Sequence, residues 1–140
     1  MLSTIDTSVR YFCEEILGLA INRGNLHPQE FFGASIPLSY NDTEAHYYLF
    51  FEPNVLDAFG EVLLGESLLD EACRDDLCKE VANQIIGHAK VALETNQPDD
   101  IFRLGTPEFL GQISSASSLK LEGFLLYELE SGSFLVGKGI

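Results

Sequence analysis

The sequence predicts an α+β domain: an antiparallel β-sheet covered on one face by two long helices. Three observations lead there. Residues 67–96 form one long stretch of helical periodicity without a proline. The β-rich segments follow one another through short turns, which is the mark of antiparallel pairing with the helices packed against the sheet. The chain has 140 residues, 46% of them hydrophobic and 21% charged, enough for a single domain over residues 1–140 with a sizeable core.

Each element has its own signal. Ile5, Val9, Phe12, Cys13, Ile16, Leu17 and Ala20 recur at a helical period, so residues 3–19 read as the first long helix, with Asp6 or Thr7 as a cap. Asn22-Arg23-Gly24-Asn25 ends it in turn residues, and His27-Pro28 continues the loop. Residues 31–40 are β-rich, and residues 44–51, EAHYYLFF, are the strongest strand in the chain. Only a short polar gap containing Asn41-Asp42 separates them, so they form a hairpin. Pro53 then opens a short helix with Val55, Leu56, Phe59, Val62 and Leu63 on its apolar side, and Gly65 stops it. Beyond the long helix come strands at residues 100–104 and 109–115, then a terminal hairpin of residues 120–129 and 133–136 closed near Glu130-Ser131-Gly132. Helix followed by strands occurs twice, over residues 3–51 and 67–136, as a loose internal repeat.

The long helix carries the one patterned polar feature. Ser67 is a suitable N-cap with Asp70 three residues on, and Asn96-Gln97-Pro98 ends the helix about 40 Å later at 1.5 Å per residue. Leu77, Cys78, Val81, Ala82, Ile85, Ile86, Ala89, Ala92 and Leu93 share its broad apolar side. Asp76, Glu80, Asn83, Gly87 and Glu94 run in a narrow line along the other side. Glu80 and Asn83 are neighbours at i, i+3, and Gly87 leaves a gap one turn later. A carboxylate, a carboxamide and a missing side chain make a spot that another surface could approach. Read on these residues alone, a solvated helix face remains open, because E-x-x-N occurs in many helices.

Composition excludes several classes. Eight Lys and Arg against 22 Asp and Glu give a net charge of -14, which argues against nucleic acid and anionic membranes as partners. No apolar run is long enough to span a bilayer, and no signal peptide is evident, so a cytoplasmic protein is expected. Cys13, Cys73 and Cys78 have neither metal-ligand nor disulfide spacing and are expected to be reduced, packed thiols. His27 and His46 lie in separate segments and make no zinc site, and His88 sits at the edge of the apolar face, where packing is the ordinary role. There is no P-loop, no nucleophile elbow and no H-E-x-x-H.

The run from Asp76 through Glu80, Asn83 and Gly87 to Lys90 resembles the central helix of the CheC/CheX/FliY group of chemotaxis phosphatases. That group carries an acidic or Ser residue, then E-x-x-N, then a Pro a little over twenty residues on. Here Asp76 precedes Glu80 by four, and Pro107 supplies the last position. The match is good over residues 44–111 and looks most like CheX. In the first helix, Glu15 and Gly18 stand at the same spacing without the Asn, which implies one active face.

The resemblance implies a phosphatase that hydrolyses the aspartyl phosphate of a CheY-like response regulator. Asn83 would hold the attacking water in line with phosphorus. Glu80 would pair with the lysine beside the regulator's phosphorylation site. Asp76 and Gly87 would contact the partner, with Gly87 assigned from spacing, and Pro107 would set the entry of the strand beneath the helix. The protein would need no cofactor of its own, since the receiver domain brings the Mg²⁺. A homodimer through a sheet edge is expected on the same ground. Two other readings stay open: a binding module of this fold that docks a receiver domain or flagellar-switch protein without hydrolysis, and an α+β domain with a chance motif.

Overall fold

The computed structural model describes residues 2–25, 30–65, 69–113 and 121–140. Seven strands form one antiparallel sheet: β1 (Asn22–Arg23), β2 (Phe31–Tyr40), β3 (Thr43–Phe51), β4 (Phe102–Leu104), β5 (Glu108–Ile113), β6 (Leu121–Leu129) and β7 (Gly132–Gly139). Their order is β1-β6-β7-β3-β2, and β4 and β5 both pair with the outer side of β2. The helices are α1 (Leu2–Arg10), α2 (Pro53–Leu64) and α3 (Glu71–Asn96), with a π-helical turn (Tyr11–Ile16) continuing α1. They lie over one face of the sheet, so the α+β expectation holds.

Alternation along the strands builds the core. Phe32, Ala34, Ile36 and Leu38 of β2 and Tyr47, Leu49 and Phe51 of β3 are buried beneath the helices. Phe59 of α2 is fully buried and meets the rings of Phe12, Phe51 and Phe134 edge-on at 5.8, 5.9 and 5.8 Å. The far face is not simply solvated. Phe31, Phe50, Leu126 and Leu135 form a second buried cluster there. Gly33 makes room for it, because a Cβ at that position would lie 2.5 Å from the Phe50 ring.

The turns match their residues. Tyr40 pairs with Thr43 across Asn41-Asp42, and Asn41 takes a left-handed φ of 52°. The Asn41 side chain accepts from the Ile101 backbone N–H (2.9 Å) and donates to Asp100 (3.2 Å), which ties this hairpin to the segment after α3. Pro53 opens α2, and Gly65 closes it with φ 73°, as expected.

Several expectations need correction. The first helix is not a regular α-helix to residue 19. Its π turn, marked by the 3.0 Å bond from Leu17 N–H to Phe12 C=O, widens the period. The stripe therefore slips, and Ile16 is left 42% exposed while Leu17 and Ile21 are buried. Asp6 and Thr7 do not cap it; Asp6 accepts from Tyr127 Oη (2.7 Å) and pairs with Arg10. Asn22 and Arg23, read as turn residues, form the edge strand β1. Val62 of α2 faces outward at 47% exposure. Ser67 and residues 114–120 lie outside the described residues; the observed cap of α3 is Asp70.

The loose repeat is visible in the topology. Each half runs helix, edge strand, hairpin: α1, β1, β2–β3, then α3, β4 and β5, β6–β7. Each half's edge strand pairs with the first hairpin strand of the other half, β1 with β6, and β4 and β5 with β2. The halves are thus interlocked, and α3 ends up across β2 with α1 at its side.

Candidate functional site

The side chain of Asp70 accepts from the Cys73 backbone N–H (2.8 Å), and this bond holds the carboxyl below its ordinary range. From there α3 runs straight over the sheet. Leu77, Cys78, Val81, Ala82, Ile85, Ile86, Ala89 and Leu93 are buried on its underside. Burial pushes the thiols of Cys13 and Cys78 up to about 12, so neither offers a thiolate nucleophile. No group of side chains that could hold a metal occurs among the described residues.

Packing one side of the helix down fixes what its other side presents. Glu80, Asn83, Gln84, Gly87, His88 and Val91 line an open groove of about 370 Å³. Gly87 is the dip in it. A Cβ on Gly87 would touch only Leu104 of β4, at an ordinary 3.5 Å, so the core does not require this glycine. Its missing side chain instead leaves space on the helix surface between Asn83 and Val91. The polar line bends as it passes Gly87: Glu94 is drawn into an ion pair with Lys90 (3.1 Å), and Val91, 59% exposed, continues the groove in its place.

The polar groups in the groove are engaged to different degrees. Glu80 is exposed and accepts one hydrogen bond, from Gln84 Nε2 (3.0 Å), which orients its carboxylate. It has no cation among the described residues. Lys79 on the same helix is held by Asp75 (2.7 Å). The half-buried Asn83 amide has no hydrogen-bond partner among the described residues. Asp76 is exposed one turn before Glu80 and makes no hydrogen bond or ion pair among them, though it lies in the field of Lys79.

His88 and Pro107 gain detail beyond their sequence reading. His88 is packed, as expected, with Nδ1 2.8 Å from the Oγ of buried Ser8 and its ring stacked on Tyr11 at 4.6 Å. It also forms a wall of the groove, which its position at the edge of the apolar face did not reveal. Pro107 does not enter the groove. It sits in the three-residue break between β4 and β5, where Gly105 N–H bonds Pro37 C=O (2.8 Å) and the edge strand resumes after it. A proline suits such an interruption at a sheet edge. Gln84, His88 and Val91 escaped the sequence reading as groove residues, although Gln84 at i+4 from Glu80 was a usable signal.

The first helix offers no second copy of this arrangement. Glu15 lies in the π turn, and Gly18, at the position of the missing Asn, has φ 70° and is already out of the helix. A larger cavity of about 580 Å³ opens between the end of the π turn, α2 and the β6–β7 turn, lined partly by Leu19, Ala58, Leu129 and Glu128. Glu128 there accepts from the Asn25 backbone N–H (3.4 Å), so that acid serves the edge strand.

Chemically the groove holds an amide that can both donate and accept, and an acid with no ion-pair partner among the described residues. It contains no activated nucleophile.

No known protein-family profile and no curated protein sequence matches the chain. Solved structures do. CheX from Vibrio vulnificus superposes with a TM-score of 0.82 at 17% identity, covering 98% of this chain and 93% of that one. A CheC-like superfamily protein from Shewanella sp. PV-4 gives 0.75 at 18% identity, covering 99% and 95%. The CheX–CheY–BeF₃–Mg²⁺ complex from Borrelia burgdorferi gives 0.72 at 12% identity, covering 99% and 96%. At these identities the likeness is one of fold, and it runs over nearly the whole chain.

Proposed function

We propose that this chain, having the fold of the CheX and CheC-like chemotaxis proteins, is a CheX-like phosphatase that removes phosphate from an Asp-phosphorylated receiver domain. The observation that carries the reading is the pairing of the unpartnered Asn83 amide with the uncompensated Glu80 carboxylate, side by side on the open face of α3. The Borrelia relative was crystallised with CheY, BeF₃ and Mg²⁺, which supports a CheY-like receiver as the partner here.

The mechanism follows from what each group can do. An aspartyl phosphate is an activated acyl phosphate, and the receiver supplies both it and the Mg²⁺ that neutralises its charge. What this protein adds is position. Asn83 enters the receiver's phosphorylation site, and its amide holds a water in line with phosphorus. Glu80 accepts a charge-assisted hydrogen bond from the receiver's lysine and fixes the register of the two proteins. Gln84 keeps that carboxylate turned outward. The dip at Gly87 lets the partner lie close, and Asp76 adds negative charge toward a cationic face.

Two copies pair through a sheet edge. Strand β6 suits this, because among the described residues the two-residue β1 pairs only with Tyr127 and Glu128 at its far end. Sedimentation at micromolar concentration is expected to read a dimer.

The test of the activity is phosphate release from a phosphorylated receiver domain with Mg²⁺, with and without this protein. Faster release is expected. A receiver that binds without losing phosphate faster would make the protein a docking module instead.

A further inference from the structure

The groove at Asn83 does not end at Glu80. Glu80 and Gln84 also wall a second notch of about 360 Å³, between the last turn of α2 and the first half of α3. Its other walls are Leu63 and Leu64 of α2, and Leu77 and Asp76 of α3. Leu77 is buried, but Leu64 is 51% exposed, a large apolar side chain held open to solvent beside two carboxylates. Of the nearby cations of α3, Lys79 bonds Asp75 (2.7 Å) and reaches Asp76 only through its field, and Arg74 lies over the ring of Phe32 (4.8 Å).

This mixture selects its occupant. An aliphatic side chain would cover the leucines but take water from Asp76 and Glu80 with nothing in return, which is unfavourable for charged groups. A short polar group would satisfy the acids and leave the leucines wet. A lysine or arginine meets both demands, with its stem along the apolar wall and its charge at the carboxylates.

The notch and the groove share Glu80 and Gln84, so a partner that brings its phosphorylation site to Asn83 also covers the notch. The proposed reaction uses one lysine of that partner, at Glu80. Asp76 and the leucines are left for another residue. We propose that the α2–α3 notch holds a second basic side chain of the receiver domain, its stem against Leu63, Leu64 and Leu77 and its charge at Asp76, and that this contact selects which receiver is accepted. The proposal rests on the receiver reading above. It concerns affinity and choice of partner and leaves the reacting groups as they are.

The experiment measures binding of the full chain to CheY-type receiver domains loaded with beryllofluoride and Mg²⁺, and phosphate release in parallel. Asp76→Asn and Leu64→Ser are each expected to raise Kd and KM about fivefold to tenfold, with kcat kept. The Asp76→Asn effect shrinks with added salt, and the Leu64→Ser effect persists. The double variant loses less than the sum, because both residues touch one side chain. Thermal melts check that both variants remain folded.

Unchanged Kd in both variants overturns the proposal. Weaker binding in Leu64→Ser alone overturns it too, since the occupant is then apolar. A change in sedimentation of Leu64→Ser without receiver present places a second copy of the chain in the notch, again overturning it. The receiver reading fails separately: no receiver then binds the wild type, or Asn83→Ala leaves phosphate release untouched, and the notch proposal falls with it. If Asn83→Ala abolishes release while both notch variants match wild type, the reading stands and the notch proposal alone is wrong.

Discussion

Gly87 shows how a single position separates stability from function. Inside a helix, glycine is about 1 kcal/mol less favourable than alanine. Here a Cβ would meet only Leu104, at a comfortable 3.5 Å. Gly87→Ala is therefore expected to raise the stability of the fold by up to about 1 kcal/mol in urea titration. If the dip serves close approach of a receiver, the same variant slows phosphate release. Stability and activity moving together would remove that role. Phe59 behaves in the opposite way. It is fully buried with three edge-on aromatic neighbours. Phe59→Ala should cost about 3–5 kcal/mol in the same titration, with α2 losing its anchor. The residue-scale reading of the sequence puts Asp76, Glu80, Asn83 and Gly87 on one face by helical spacing alone, and Glu80, Asn83 and Gly87 line one groove. It did not extend to Leu63 and Leu64, which join the site only through the packing of α2 on α3.

Elements were legible wherever a local signal marked their ends. Pro53 and Gly65 bracket α2, and the polar gap at Asn41-Asp42 between two β-rich runs marks the β2–β3 hairpin. Where no such mark exists, tertiary context decided. The π turn after Arg10 cannot be read from an apolar stripe that assumes 3.6 residues per turn, and β1 is two residues long, too short to carry a pattern. Asp70, which the spacing from Ser67 suggests as a capping-box member, is the cap itself. Burial within elements also has a pH consequence. The Cys13 and Cys78 thiols are pushed from 9.0 to about 12 in the folded chain, so above about pH 9 the unfolded chain loses these protons first. Folding stability is thus expected to fall as pH rises from 9 toward 12. Replacing both with Ala should flatten that part of a pH–denaturation profile, and an unchanged slope would show that other groups cause it.

At the scale of the molecule, the two interlocked halves explain why one helix face carries the site. Each half sends its helix across the sheet, and in each the helix presents an outward face. In α3 that face keeps regular spacing for its full length and holds Glu80, Asn83 and Gly87 in register. In the first half the π turn and the left-handed Gly18 end the helix at the corresponding place. Low identity to the CheX and CheC-like structures goes with a fold shared over nearly the whole chain, and in such a case the function is argued from the site. The negative charge of the chain has a local expression as well: along the outward face of α3, Asp76 and Glu80 make no ion pair among the described residues, and this is the surface that the proposed lysine-bearing partner would meet.

The most direct measurement is the rate of phosphate release from an Asp-phosphorylated receiver domain with Mg²⁺, for wild type, Asn83→Ala and Glu80→Ala. Wild type should accelerate release. Asn83→Ala should lower turnover by on the order of 10²-fold while still binding the receiver. Glu80→Ala should instead weaken binding about 10- to 100-fold. Release by Asn83→Ala at the wild-type rate would contradict the amide-and-water mechanism, and with it the central claim that the groove on α3 is a phosphatase site.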